Sequence, residues 1–189
     1  DAREKLRALI PAANVLIHNV RADAMARLGF SYDEVIKLNP HIVYVHCVGY
    51  GSDGPYAGRQ AFDDLVQAAA GAADLLPRVD GGGEMRLIPS FIADKVSSMH
   101  ALWGTLDALY HQKATGEGQF VEVPMFESFT SFMMAEHLYG ETFEPPVSHV
   151  GHTPALANDR RPLKCKDGYI CIQPVSRAAS AKFMELGGI

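Results

Sequence analysis

The chain has 189 residues, of which 48% are hydrophobic and 21% charged, a balance typical of a folded globular protein rather than a disordered one. This length suffices for one good-sized domain, or for one domain and part of another. The formal net charge of −5 argues against a protein built mainly to coat nucleic acid. An anionic ligand would have to be held locally, by arginines and helix N-termini.

The composition also indicates the cellular setting. No apolar run approaches the roughly 20 residues that span a bilayer, and no signal peptide opens the sequence, so we expect no membrane association. Cys47, Cys165 and Cys171 are odd in number and form no CxxC pair, which disfavours a disulfide framework or a metal site. We therefore expect a cytoplasmic protein. The sequence has no initiator methionine and stops within a predicted helix, so we also expect it to be a piece of a longer protein.

The first part of the chain predicts a parallel βαβ unit. The apolar run "NVLIHNV" (residues 14–20) and the valine-rich "HIVYVHCVGYG" (residues 41–51) are typical of buried strands. Between them, one short helix stops at Gly29, and a second opens with Ser31 and Glu34 at the spacing of a capping box. Because both strands are continuously apolar, we expect a sheet that is covered on both faces.

A loop rich in glycine and proline then precedes the longest predicted helix. "SDGPYAGRQ" is the loop, "AFDDLVQAAAGAADLL" predicts a helix of small residues, and "PRVDGGGEMRLIPS" predicts a flexible excursion. The helix that follows has large apolar residues at three- and four-residue steps, which predict its buried face, and a glycine-rich stop after Thr115. The members of this face are Ile92, Val96, Met99, Leu102, Trp103, Leu106, Leu109 and Tyr110. The triple glycine at 81–83 lacks the lysine and Ser/Thr of a phosphate-binding loop.

The last part predicts a change of domain. "QFVEVPM" alternates as a strand and "FESFTSFMMAEHLYG" is an amphipathic helix, after which residues 145–161 contain three prolines and predict a linker. "LKCKDGYICIQPVS" predicts a β-hairpin that turns at Lys166-Asp167-Gly168. We predict an α/β fold: residues 1–144 form part of a Rossmann-like domain with a parallel sheet and flanking helices, and residues 162–189 begin a smaller α+β domain.

Several stretches together resemble the class III CoA-transferases, a superfamily that includes formyl-CoA and carnitine CoA-transferases and α-methylacyl-CoA racemase. They are "ANVLIHNVRADAMARLGFSYDEVIKLNPHIVYVHCVGYGSDGPY", "AFDDLVQAAAG", "PSFIADKVSSMHALWGTLDALYHQKATGEGQFVEV" and "DGYICIQP", in the family's order. "HNVRADAMARLGF" is similar to the family's Asn-Phe-Arg-Pro-Gly motif and the Arg-Leu-Gly after it. Val20 replaces the phenylalanine, and Ala22-Asp23 replaces the Pro-Gly.

The resemblance implies that Asp94 is the family's nucleophilic aspartate. In that chemistry the carboxylate attacks the thioester of an acyl-CoA, forms a mixed anhydride and then an aspartyl-CoA thioester, and passes CoA to an acceptor acid. An aspartate, with a reference pKa of about 3.9, would be ionised at neutral pH without special tuning. An acid in the first turn of a helix is also an ordinary stabilising choice, worth about 0.3–1 kcal/mol, so position alone does not identify a nucleophile.

The resemblance also implies a CoA site at the carboxyl end of the first strand, where open α/β sheets bind their ligands. Asn19, Val20, Arg27 and Leu28 match CoA-contacting positions, and Arg21 is a further candidate. The arginines suit phosphate binding, although each could equally be a solvated helix residue. Gln60 and Phe62 match positions beside the CoA thiol, with plain loop packing as the alternative. The implied partners are an acyl-CoA and a carboxylic acid, with no prosthetic group.

Phe62 distinguishes the branches of the superfamily. The racemase branch has a histidine at this position that moves the α-proton together with the aspartate, and a phenyl ring carries no proton, so Phe62 disfavours racemase chemistry. His46 and His100 are more typical of packed or surface histidines. Asp63 could position the site or cap its own helix. A non-catalytic CoA-binding protein and an unrelated α/β domain remain as alternatives.

The resemblance implies, in addition, an interlocked homodimer. It also implies an upstream βα segment and a downstream glycine-rich loop that the 189 residues lack. The chain by itself is therefore expected to have little activity.

Overall fold

The computed structural model describes residues 2–188 and contains a three-stranded parallel sheet with the order β1-β2-β3. The strands are β1 (Val15–His18), β2 (Val43–Val48) and β3 (Gln119–Pro124). β1 pairs in parallel with β2, and β2 with β3. The predicted βαβ unit is therefore confirmed, and a second crossover joins β2 to β3.

Helices connect and flank these strands. They are α1 (Ala2–Leu9), α2 (Ala22–Leu28), α3 (Tyr32–Leu38), α4 (Asp63–Ala69), α5 (Leu75–Val79), α6 (Ile92–Thr115), α7 (Met125–His137) and α8 (Arg177–Gly187). Gly29 and Gly116 end α2 and α6 in the left-handed conformation that glycine adopts without strain, as their sequence positions predict. Ser31 precedes α3 but its side chain makes no capping hydrogen bond, and Glu34 pairs with Lys37, so the predicted capping box is wrong.

The sheet is covered on both faces around β2, as its apolar sequence predicts. Alternate residues of a strand point to opposite faces. Tyr44 packs with the residues of α2 and α3, whereas Val43 and Val45 pack with α6. A third cluster, centred on Val66 and Phe129, joins α4, α6 and α7.

The buried face of α6 is not the one that its large apolar residues predict. The residues that turn inward are mostly small: Ala93, Val96, Ser97, Ala101 and Ala108. A Cβ on Gly104 would lie 3.0 Å from Val121 of β3, so the helix and the sheet approach closely. Five members of the predicted face are at least half exposed: Met99, Leu102, Trp103, Leu106 and Tyr110. Small side chains occupy the buried face of α6 because they allow the helix to lie close to the sheet.

The predicted small-residue helix after the loop is interrupted. Gly71 adopts a left-handed conformation, and the chain continues through a short 3₁₀ turn into α5. Residues 81–91, which include the triple glycine, form no helix or strand. Gln67 of α4 ties the end of this excursion to the core, because its side chain accepts from the N–H of Ile88 at 2.8 Å and donates to the carbonyl of Ser90 at 3.0 Å.

The predicted hairpin is present as β4 (Leu163–Cys165) and β5 (Gly168–Ile170), which pair antiparallel across Lys166 and Asp167. Residues 145–161 contain no helix or strand. Part of this stretch is held by α7, since the N–H of Gly151 donates to the carbonyl of His137 at 2.7 Å. The division into two domains and a linker stays a prediction. No helix within residues 2–188 is both long and apolar enough to cross a membrane.

Candidate active site

Two neighbouring cavities, each of about 830 Å³, lie at the carboxyl ends of β1 and β2. The first is on the side of the sheet that faces α2 and α3, and its walls include Arg21, Tyr44 and His46. The second is on the side of α6, and its walls include Ile17 and Asp94. They share five lining residues, Asn19, Cys47, Val48, Gly49 and Ala61. An extended ligand could therefore pass from one to the other over the strand ends.

Asp94 lies in the first turn of α6, and Asp63 of α4 holds the backbone there. The buried Asp63 carboxylate accepts from the backbone N–H of Asp94 at 3.0 Å through Oδ2, and from the Gln67 side chain at 2.5 Å through Oδ1. Asp63 is the first residue of α4, yet its side chain caps the first turn of α6 by accepting from the Asp94 N–H. Of the two roles predicted for Asp63, positioning the start of α6 is the one that the geometry supports.

Asp94 borders the second cavity and is an exposed residue. Its partial desolvation by the cavity walls and, second, the neighbouring Asp63 carboxylate raise the pKa of Asp94 above its ordinary value. Both influences oppose the stabilising effect of the α6 dipole on the carboxylate. That Asp94 is ionised at neutral pH stays a prediction. The ionised form of Asp94 is thus less favoured than that of a free aspartate.

The remaining predicted site residues divide into two groups. Asn19 borders both cavities, Arg21 and Gln60 border the first, and Phe62 borders the second. Val20 is partly exposed between Asn19 and Arg21.

Two predicted CoA contacts lie apart from this group. Arg27 and Leu28 border neither cavity, and the Arg27 guanidinium is engaged with Asp23 at 2.7 Å, on an exposed helix surface. Asp23 occupies the position at which the family motif has glycine. The ion pair between Arg27 and Asp23 is therefore one that the motif residues could not form. A part in CoA binding stays a prediction for both residues.

Arg59 is a cavity residue that the sequence reasoning missed. It borders the first cavity beside Gln60, and its guanidinium lies 4.6 Å from the ring centre of Tyr56, which makes an edge contact with Tyr50. The stacking holds a long, flexible cation near the cavity. The place of Arg59 in the loop, directly after "PYAG", was a signal in the sequence, because binding residues are concentrated on loops. That signal did not show which cationic side chain would border the cavity.

The loop that bears Arg59 is anchored by two glutamates from other elements. Glu127 of α7 accepts from the N–H of Gly51, and Glu122 of β3 accepts from the N–H of Ser52, both at 2.9 Å. These contacts link positions about seventy residues apart, which sequence patterns do not show. They fix the start of the loop against the carboxyl end of the sheet.

Gly49 allows the two ends of the loop to touch. A Cβ on Gly49 would lie 2.4 Å from the Cβ of Ala61, closer than atoms in proteins pack. Both residues border both cavities, so this contact sets the width of the junction between them.

Comparison with known proteins identifies the family. A family model described as CoA-transferase family III matches residues 1–188. The chain belongs to CoA-transferase family III. It is 30% identical over 154 residues to an acetyl-CoA:oxalate CoA-transferase of Acetobacter aceti, a match that covers 82% of this chain and 38% of the relative. It is 36% identical over 123 residues to a formyl-CoA:oxalate CoA-transferase of Streptomyces avermitilis, covering 65% and 29%.

The fold of this family III chain also matches solved structures. A CaiB/BaiF family protein from Brucella suis superposes with a TM-score of 0.80 at 25% identity, covering 99% of this chain and 49% of that one. The chain thus spans less than half of the length of each of these proteins. The predicted family and the predicted α/β fold with a parallel sheet are confirmed. Within residues 2–188, no three or more His, Cys, Asp or Glu side chains are grouped to hold a metal ion.

Proposed function

We propose that this chain contributes the nucleophile and part of the CoA site of an enzyme that moves CoA between an acyl-CoA thioester and a free carboxylic acid. The observation that supports this most is the location of Asp94, which borders one cavity while residues matched to CoA contacts border the adjoining one. Asn19 belongs to both cavities and joins the two parts of the site.

The proposed reaction proceeds through covalent intermediates on Asp94. A carboxylate oxygen attacks the thioester carbonyl, the C–S bond breaks, and CoA thiolate leaves behind an aspartyl mixed anhydride. The thiolate attacks the aspartyl carbonyl and releases the donor acid, which leaves an aspartyl-CoA thioester. The acceptor carboxylate then expels the thiolate to form a second anhydride, and the thiolate attacks its acyl carbonyl. The products are a new acyl-CoA and the free Asp94 carboxylate.

The raised pKa of Asp94 suits a nucleophile. A carboxylate that its surroundings stabilise poorly is more basic, and a more basic group of the same type is a better nucleophile while it stays ionised. Asp63 contributes twice, because its charge raises that pKa and its hydrogen bond fixes the backbone that carries Asp94.

A racemase would need a second group to move the α-proton. Phe62 borders the cavity of Asp94, and no histidine is among the described residues that line it. This supports CoA transfer over racemisation. Exchange of the α-proton of a 2-methylacyl-CoA with solvent deuterium would reverse that preference.

The decisive experiment uses the complete protein, an acyl-CoA and oxalate, the acceptor in the names of both relatives, with other carboxylic acids in parallel. We expect new CoA thioesters by mass spectrometry and, when hydroxylamine is added during turnover, a hydroxamate on Asp94. Asp94→Asn should abolish both. Undiminished turnover in Asp94→Ala would reject the aspartyl mechanism, and CoA-ester binding without turnover by the wild-type protein would indicate a non-catalytic binding protein.

Two further proposals follow from the family resemblance. We expect a homodimer, testable by light scattering of the complete protein. We also expect residues 1–189 alone to exchange acyl groups poorly, and rapid exchange between an acyl-CoA and a free acid by that chain would refute this.

A further inference from the structure

Two neighbouring histidines bond the N–H and the carbonyl of one residue, Val20, at the corner where β1 leads into α2. His18 and His46 are direct partners across the β1–β2 pair, and their rings stack with centres 4.4 Å apart. Nδ1 of His18 accepts from the N–H of Val20 at 3.2 Å, and Nε2 of His46 donates to the carbonyl of Val20 at 2.9 Å. We call His18 and His46 the histidine clamp.

The partners of the clamp determine where its protons lie. A carbonyl oxygen only accepts, so Nε2 of His46 carries a hydrogen. The Tyr44 hydroxyl donates to the carbonyl of Phe30 at 2.7 Å, so it accepts from Nε2 of His18 at 2.8 Å. Nδ1 of His18 then carries no hydrogen, as it must if it accepts from the N–H of Val20. His18 is therefore a neutral ring in a single tautomer.

The environment keeps that ring neutral. Burial, and then the neighbouring His46, lower the pKa of His18 to about 4. His46 and Tyr44 are themselves buried, so water does not readily replace the bond from His46 to Val20 or the bond from His18 to Tyr44, whereas the bond from Val20 to His18 is exposed.

The clamped residue lies between Asn19 and Arg21, both of which border the cavities. With both of its backbone groups engaged, Val20 cannot rotate its peptide units without breaking a hydrogen bond. We propose that His18 and His46 are positioning residues that hold the Asn19–Arg21 corner in the shape that binds the CoA ester. This rests on the proposed function; the binding surface is the corner, and the histidines act through it.

The two histidines should respond in opposite ways to the same pair of substitutions. The side-chain oxygen of asparagine occupies the place of Nδ1, whereas the amide of glutamine reaches the place of Nε2. His18→Asn thus keeps the acceptor for Val20 and His18→Gln loses it. At position 46 the order reverses, because His46→Gln keeps a donor to Val20 and His46→Asn loses it.

The test measures KM and kcat for acyl-CoA in the complete protein with all four variants, together with hydrogen exchange at the Val20 amide. For His18→Gln and His46→Asn we expect KM to rise about 5- to 10-fold, the loss of roughly one hydrogen bond, with a smaller change in kcat. His18→Asn should stay near the wild-type KM, and His46→Gln, at a position that borders the first cavity, should raise KM less than His46→Asn does. His18 bonds the Val20 N–H directly, so hydrogen exchange at the Val20 amide should become faster in His18→Gln but not in His18→Asn.

A purely structural role gives a different pattern. If the histidines only filled space, asparagine, the smaller residue, would be the worse replacement at both positions, and that result would overturn the proposal. A wild-type protein without turnover would reject the proposed function instead. The exchange rates of the two position-18 variants would then still decide whether His18 holds Val20.

Discussion

Replacing Asp63 by asparagine would remove one acceptor oxygen from the cluster that fixes the start of α6. The buried carboxylate accepts from the Asp94 N–H and from the Gln67 side chain, so in the variant the new NH₂ group must face one of these two donors. Gln67 cannot turn its amide to compensate, because its oxygen accepts from Ile88 and its NH₂ group donates to Ser90. At least one charge-assisted hydrogen bond of this buried side chain is therefore lost.

The expected cost is about 1.5–3 kcal/mol of unfolding free energy, the range for hydrogen bonds to charged groups. With a urea m-value of about 1–3 kcal/mol/M, the unfolding midpoint should fall by on the order of 1 M. Asp64→Asn is the matched control, since Asp64 is exposed in the same first turn of α4 and loses the same charge. Equal midpoints for the two variants would refute the reasoning.

The same variant tests the electrostatic coupling between the two acids. The Asp63 charge is one of the two causes that raise the pKa of Asp94, so its removal should lower that pKa. Carboxyl ¹³C NMR titration of Asp94 reads this directly. An unchanged midpoint in Asp63→Asn would show that desolvation alone perturbs Asp94.

Three other outcomes are expected. The pKa of Asp94 is raised in the folded state, so the native state binds this proton more tightly than the unfolded state does. The contribution of Asp94 to the unfolding free energy therefore falls as pH rises. The fall begins at the unfolded-state pKa of about 3.8 and ends above the higher folded-state pKa. Urea titrations should therefore find Asp94→Asn more stable than the wild type at pH 7, with the gain vanishing as pH falls below that window; a constant difference would contradict the sign. Gly49→Ala should destabilise by about 1–3 kcal/mol through overpacking, and Ala61→Gly in the same chain should restore most of the loss in thermal melts; no rescue would mean that the 2.4 Å approach is not the cause. Glu127→Ala should speed amide exchange at Gly51 while Glu127→Gln, which keeps the acceptor oxygen, should not; equal rates would exclude the anchor.

Much of the candidate site could be anticipated from sequence because the family motifs lie on local segments. The resemblance pointed to Asp94, Asn19 and Arg21, and all three border the cavities. It could not find Arg59, whose location near the cavity depends on the stacking with Tyr56. The His18–His46 stack depends on strand register, which a single strand's pattern does not reveal.

By itself, the sequence determined the local elements: the buried strands β1 and β2, the glycine stops of α2 and α6, and the hairpin. These follow from patterns within a few residues, namely β-branched runs, left-handed glycines and a tight turn. Tertiary structure alone decided which face of α6 packs inward, because the close approach of Gly104 to β3 selects small residues over the larger apolar ones. It also decided that Asp63 caps α6 and raises the pKa of Asp94, since a carboxylate's partners are set by the folded chain and here lie 31 residues apart.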